Sequence, residues 1–493
     1  MSAVNIHFQR EFSPEIQKIK NHKEFNEYRR QLERMDEIIC LKGIDLQFAS
    51  LYLAEIRGHK KKKMSAVSVR KKTEYAVRGF RCNILRHYLG MSYAKLSCRI
   101  AESPLLQEFI FAGRVDGEIM IPGRSLLHKY SQMISAPIME EFVREKMKDI
   151  AGEGSCLGLR KVIDLSEIYV DACCLEAKIH FPVDWVLLRD SIRTLIKSIL
   201  TIRRHGLVHR MGKPEEFISV INKECMAMAG SRKKKDSKKE RKRILRRMKK
   251  IEKTVRKHGK RYMELLIERW RETDLLEDEA KRIVGRMKNV ISKIPVAVKQ
   301  AHDRIIAGKY AENADKILSL YDDGVNVVVR GKDGAEIEFG NTLFIAEQSD
   351  GLIVDWNLYK ESAPADVKKL DESLNRLKTN GIGIRSVTGD RGFDSSAVRK
   401  TLAEDKIYNG ICPRNPEELK KRRNEPEFLR SQKRRAQTEG RISILKNRFI
   451  GNPASGRSFE QRQMDVGWAV FSHNLWVVAR MPEKEEQELL KTG

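Results

Sequence analysis

The chain has 493 residues, 41% of them hydrophobic, which is enough for two to four domains and at least one sizeable core. Lys and Arg number 96 against 68 Asp and Glu, a formal net charge of +28. Such a balance attracts polyanions, of which nucleic acids are the commonest in cells, and says nothing about fold. No stretch approaches the roughly 20 apolar residues of a spanning helix. The opening MSAVNIHFQREF lacks the apolar run of a secretory signal. Eight cysteines without a CxxC pair read as reduced thiols in cytosol, neither a disulfide framework nor a zinc site.

Residues 1–65 read as an N-terminal helical extension ending in a basic run, His59 to Lys63, whose plain reading is a solvated linker. Residues 66–150 read as a compact helical unit. Apolar residues recur at helical spacing from Tyr75 to Leu89, Gly90 stops that helix, Ser92 caps the next, and Pro122 opens a third. Basic residues on the polar faces suit a helix-turn-helix-like DNA reader, and a plain helical bundle fits the spacing equally well. From 163 to 180 the chain turns rich in β-formers and predicts a strand running into a second one. Pro182-Val-Asp184 starts a helix through about Ile202, with Asp184 as its cap.

The window Ser231–Lys260 holds 17 Lys or Arg and three acids, half of the whole chain's positive excess. Met248, Ile251 and Val255 keep helical spacing, so 231–305 reads as a basic helical insertion, a hairpin broken near Thr273-Asp274. Its leading cations, Lys233, Lys234, Lys235, Arg241, Lys242 and Arg243, are the candidate DNA contacts, because each phosphate neutralised releases counterions. A solvated charged helix is the alternative.

Residues 306–482 alternate strands and helices. Short β runs are predicted at 317–321, 325–329, 336–339, 343–346 and 351–356, and a helix at 365–379. A strand over 384–389, a helix over 395–405, a strand from Tyr408 and two closing helices at 427–449 and 458–480 follow. Together with 160–230 they indicate an α/β domain with a mixed sheet.

Three acids stand out by setting. Asp171 lies inside the apolar strand Tyr169-Val-Asp-Ala, where a carboxylate costs free energy unless paired or bound to a cation. Asp390 ends a strand at Gly389-Asp-Arg-Gly-Phe393, and strand carboxyl ends are where α/β folds place ligands. Glu439 shares a helix face with Arg435, Ile442 and Lys446. Singly, Asp390 is good turn chemistry, Glu439 makes a surface pair with Arg435, and Asp171 could pair with a lysine. Together, three carboxylates can hold two Mg²⁺ or Mn²⁺ ions for phosphoryl transfer, with Arg435, Lys446 and Arg391 placed to contact DNA phosphates. Asp355, Asp366 and Asp394, near these blocks, read as turn or cap residues.

This combination resembles the bacterial insertion-sequence transposases of the DDE class. The likeness rests on Tyr-Val-Asp171-Ala, Thr388-Gly-Asp-Arg-Gly-Phe393 and Arg435-x3-Glu439-x6-Lys446, with 49 residues between Asp390 and Glu439. Glu338-Phe-Gly-Asn, Gly351-Leu-Ile-Val-Asp-Trp, Gly467-Trp-Ala-Val and Arg81-Cys-Asn-Ile-Leu-Arg also resemble it, so the similarity spans roughly 70 to 480. Gln432 stands where the family's helix signature often begins with Tyr.

The resemblance implies a ribonuclease-H-like mixed sheet flanked by helices, with a helical N-terminal DNA-binding domain and the basic helical insertion. Asp171 would stand on the first strand, Asp390 just after the fourth and Glu439 on a following helix. It implies Mg²⁺-dependent cleavage at an element's terminal inverted repeats and strand transfer to target DNA by a homodimer or larger assembly, in a bacterial cytoplasm at the nucleoid. The alternatives are an idle DNA-binding protein derived from a transposase, or a metal-dependent nuclease without strand transfer.

Overall fold

A computed structural model of the chain describes residues 16, 19–58, 64–152, 157–180, 183–231, 236–309, 316–332 and 335–484. The basic run His59–Lys63 and the cations Lys233, Lys234 and Lys235 lie outside these residues. The fold is mixed α/β. Among the described residues no helix is long and apolar enough to cross a membrane.

The N-terminal part comprises α1 (Lys23–Leu41), α2 (Ile44–Gly58), α3 (Ala66–Tyr88), α4 (Tyr93–Glu102), α5 (Pro104–Phe109), α6 (Arg124–Tyr130) and α7 (Ala136–Gly152). A small hairpin, β1 (Gly113–Val115) and β2 (Glu118–Met120), precedes α6. Ser92 caps α4 as expected, its hydroxyl accepting from the Lys95 amide. Strand β3 (Glu167–Glu176) follows, then α8 (Asp184–Arg204), α9 (Glu216–Gly230), α10 (Ser237–Arg269) and α11 (Glu277–His302). The expected break near Thr273 is there: a 3-10 turn over Trp270–Glu272 separates α10 from α11. The remainder holds β4 (Asn326–Lys332), β5 (Ala335–Gln348), β6 (Ile353–Leu358), α12 (Asp366–Thr379), β7 (Ser386–Thr388) and α13 (Ser396–Glu404). Last come β8 (Tyr408–Asn409), α14 (Pro416–Arg422), α15 (Pro426–Ile444) and α16 (Phe459–Val478).

Among the described residues six strands form one sheet in the order β4-β5-β3-β7-β8, with β6 also on β5. Strand β5 runs antiparallel to β3, β4 and β6, whereas β7 and β8 run parallel to β3. At Gly340 strand β5 meets both Glu176 of β3 and Asn326 of β4, so β4 and β6 lie end to end on the side of β5 away from β3. Because β4 is an extra strand in that position, Asp390 follows the fifth strand of the sheet in chain order, not the fourth as expected.

Several expected elements differ. Residues 336–339 and 343–346 are one strand, because Gly340 lets the backbone stay extended against the Leu175 carbonyl, where a Cβ would collide. Residues 317–321 form no strand; α11 side chains hold that segment, with Gln300 Oε1 accepting from the Ile317 amide at 2.9 Å and Asn289 donating to the Leu320 carbonyl at 3.0 Å. The 163–180 stretch gives a single strand. Asp184 is the first residue of α8, after Val183 as cap, and its carboxylate accepts from Gln300 and pairs with Arg304.

Period-two alternation along β3 sorts the two faces of the sheet. Ile168 and Val170 join Phe344, Val387, Leu370 and Leu402 in a core beneath α12 and α13. Cys173 and Leu175 face the other way, into a larger core shared by Leu343, Trp356, α16 and the N-terminal helices. Phe48, Phe80 and Phe142 pack in tilted and edge-to-face pairs around Trp468 and Phe471 at its centre. Helices α8 to α11 close a separate core of their own, built from Leu195, Ile244, Met248, Tyr262 and Met287 among others.

Candidate active site

Sheet register brings the first two acids together. Strand β3 pairs in parallel with β7 at Tyr169 and Thr388. Two residues further along each chain stand Asp171 and Asp390. Strand β7 ends there because the Asp390 carboxylate turns back to accept from the Gly392 amide at 2.8 Å, capping a 3-10 turn over Arg391–Phe393. A Cβ at Gly392 would press on the Asp366 carboxylate and crowd that of Asp390, so a larger residue there would have to displace them. The Asp171 carboxylate accepts from the Ala172 amide at 2.8 Å.

Helix α15 brings the third acid. Arg434 donates to the Ser349 carbonyl at 3.0 Å and to the Glu347 carboxylate at 2.8 Å, and lies over the Tyr169 ring. Gln432 donates to the carbonyls of Gly389 at 3.2 Å and Gly410 at 2.7 Å. These contacts pin the helix across the ends of β7 and β8 and along β3. Glu439, one to two turns later, and Ile442 and Lys446 beyond it face a cleft of about 800 Å³ that Asp171 and Asp390 also line. Helix α15 passes into a π turn over Leu445–Ile450, and the Lys446 ammonium donates to the Cys174 carbonyl at 2.5 Å.

Electrostatics couples the three acids. Burial pushes the Asp171 carboxyl up to about 6, and the negative charges of Asp390 and Glu439 push the same way, against the Ala172 hydrogen bond and the nearby Arg435 charge. A perturbed carboxyl in a cleft is a functional-site signal. Among the described residues no three acidic, His or Cys side chains are already gathered as one metal-holding group. The donor set is nevertheless all carboxylate, the type that hard divalent cations take. The negative charges of Asp390 and Glu439 acting on Asp171 are an excess that a bound cation would offset.

The basic candidates divide. Lys446 lines the cleft. Arg435 bonds Gln432 at 3.2 Å and acts on Asp171 through its charge. Arg391 is exposed and not among the cleft residues. Beside it, Arg414 lines the cleft and donates to the carbonyls of Arg391 at 2.9 Å and Gly392 at 3.0 Å. Arg241, Lys242 and Arg243 stand in the first turns of α10, away from the cleft lining. Further along α10, Arg243, Arg246, Lys250, Lys253 and Lys257 are all exposed at alternating spacings of three and four, one stripe along the helix.

Sequence reasoning missed Arg414, Gln432, Glu347 and the cleft cation Lys369, which pairs with Asp366 at 2.7 Å. Only Gln432 carried a signal, as the oddity at the start of the helix signature. Asp366, read as a turn or cap residue, lies in the first turn of α12 and also lines the cleft. Asp394 accepts from Arg399 and from the Arg414 amide. Asp355 is no turn residue: it is fully buried on β6, where Ser373, Arg376 and Arg144 satisfy its carboxylate.

Comparisons with known protein families, with characterised proteins and with solved structures give no match.

Proposed function

We propose that the chain is a DNA transposase of the DDE class, with Asp171, Asp390 and Glu439 as its catalytic carboxylates. The observation that carries this reading is the convergence of the three acids, 49 and 219 residues apart in sequence, on one cleft. The sheet supports it: without β4 the order is β6-β5-β3-β7-β8, with β5 and β6 antiparallel and β7 and β8 parallel to the central strand. That arrangement resembles a ribonuclease-H-like sheet, with Asp171 on its first strand and Asp390 after its fourth.

Asp171, Asp390 and Glu439 would hold two Mg²⁺ or Mn²⁺ ions through carboxylate oxygens. When bound, such ions activate a water or 3′-hydroxyl and stabilise the leaving oxygen. The chain's own groups do the rest. Lys446 and Arg414 present positive charge at the cleft, where a DNA phosphate would lie between them and the acids. Gln432 and Arg434 fix the axis of α15 so that Glu439 meets the strand-borne acids. The exposed stripe on α10 offers a sequence-independent contact for flanking duplex. Handling two element ends together calls for a dimer or larger assembly on DNA, in a bacterial cytoplasm at the nucleoid. A protein that only binds DNA has no use for three acids that repel it.

The test is Glu439→Gln. It should abolish Mg²⁺-dependent cleavage of DNA carrying the element's ends, while the affinity for that DNA stays within about twofold of the parent's. Persistent cleavage would overturn the triad assignment.

A further inference from the structure

A second basic site lies in the α8–α11 unit, among residues the triad does not use. The loop after α8, from Val208 to Gly212, folds over α10 and leaves an open basin of about 860 Å³. Arg203, His209, Arg210 and His258 line it. The loop is built rather than loose. Arg203 donates to the carbonyls of His209, at 3.2 Å, and Met211, and its Nε donates to the Tyr262 hydroxyl at 2.6 Å. Tyr262, itself fully buried, donates to the His209 carbonyl at 2.6 Å and stands edge-on to the His209 ring.

Two features set the basin apart. The Nδ1 atoms of both His209 and His258 are buried without a hydrogen-bond partner. Among the described residues no carboxylate pairs with Arg203, Arg210, His209 or His258, whereas part-buried arginines of the sheet domain have theirs, as Arg376 has Asp355 and Arg434 has Glu347. A cluster of donors with no counter-charge suits an anion and repels a metal cation. We propose that this basin is an oxyanion site that takes a phosphate group, whether from a nucleic-acid backbone or as a free dianion.

The groups facing His258 are His209 from the loop, Arg203 from α8 and Lys257 from its own helix. Burial first, and then these neighbours, hold its imidazole below the ordinary histidine range. A bound dianion reverses the balance of charge and favours the imidazolium, so the site should take up a proton with its ligand and bind more tightly at acid pH.

Sulfate, a dianion throughout the relevant range, and a short DNA duplex serve as probes on the full-length chain. The readout is the rate at which diethyl pyrocarbonate modifies each imidazole, followed by peptide mass spectrometry with the exposed His22 as reference. Millimolar sulfate should slow His209 and His258 at least threefold relative to His22, more at pH 6 than at pH 8. The exposed Arg210→Ala, which leaves the core untouched, should remove most of that protection, and so should His258→Asn. Protection by micromolar duplex as well identifies the nucleic-acid backbone as the source. Protection by sulfate alone identifies a free anion. Unchanged rates with both probes overturn the proposal, as does protection by Zn²⁺ without sulfate. The same measurement in the Glu439→Gln protein stands whether or not the triad cleaves DNA, so the two readings can fail separately.

Discussion

The side-chain amide of Gln432 on α15 donates to the carbonyl oxygens of Gly389, at 3.2 Å, and Gly410, at 2.7 Å. Gly389 is the residue before Asp390, so one side chain ties the helix that carries Glu439 to the strand end that carries Asp390. The residue that looked like a departure from the transposase helix signature is a spacer between two of the acids.

Gln432→Ala removes both hydrogen bonds; the Gly389 carbonyl keeps the Cys412 amide at 3.1 Å, whereas the Gly410 carbonyl is left facing an apolar methyl. A loss of about 1–3 kcal/mol in urea-unfolding stability is expected, the cost of one buried acceptor left unsatisfied. Strand cleavage should fall at least tenfold with DNA affinity held, because the substitution loosens the spacing of the acids and removes no charge. Equal losses in affinity and cleavage would make Gln432 a DNA contact instead.

Glu347 is the larger structural dependence. Its carboxylate is fully buried on β5 and faces two arginines of α15, Arg434 at 2.8 Å and Arg441 at 3.5 Å. Removing the acid leaves two part-buried guanidinium groups without compensation, which costs about 3–5 kcal/mol. Glu347→Ala should therefore unfold at markedly lower urea than the parent, and Glu347→Gln should recover part of the difference by keeping an acceptor oxygen. A Glu347→Ala protein as stable as the parent would show that α15 is held by its apolar contacts alone.

The three acids and the elements that carry them were legible because each sat in a locally distinctive setting: an acid in an apolar strand, one at a Gly-Asp-Arg-Gly turn, one on a basic helix face. Element types were legible where periodicity was long, as in α10, α15 and α16. What stayed hidden depends on distant pairing. Residues 317–321 have the composition of a strand but give their backbone to Gln300 and Asn289 of α11. Asp355 looked like turn chemistry beside Gly351, yet its partners Arg144 and Arg376 come from helices 211 and 21 residues away. Arg414 had no signal, since its place at the cleft follows from carbonyls of a turn 22 residues earlier.

Asp171 makes stability depend on pH in a definite sense. A carboxyl whose folded value is raised stabilises the fold while protonated. That benefit is complete below the ordinary value of 3.8 and is lost as pH rises through about 6. The shift corresponds to roughly 3 kcal/mol at most, by about 1.4 kcal/mol per pKa unit. In EDTA, Asp171→Asn should thus be about 1–3 kcal/mol more stable than the parent at pH 8 and no more stable at pH 4. Added Mg²⁺ should raise the parent's melting temperature and leave the variant's unchanged. If the variant is destabilised at pH 8, Asp171 is paired in solution and the repulsion among the acids is relieved without metal.

The basic stripe on α10 gives a test of DNA contact that spares the fold. Deleting the helix would be uninformative, because Ile244, Leu245, Met248 and Val255 on its other face are fully buried in the α8–α11 core. Arg243, Arg246, Lys250, Lys253 and Lys257 are all exposed, so replacing them with Gln should leave the urea midpoint nearly unchanged. Their spacing sets them along about 21 Å of helix, at about 1.5 Å per residue, the reach of several consecutive phosphates on one duplex groove edge. Every phosphate left without its cation lowers the slope of log K against log salt by about 0.9. Fluorescence anisotropy with a fixed duplex at increasing salt should show the slope of the five-fold variant falling by about 2 or more. An unchanged slope returns the stripe to a solvated surface and leaves the cleft cations Lys446 and Arg414 as the source of DNA affinity.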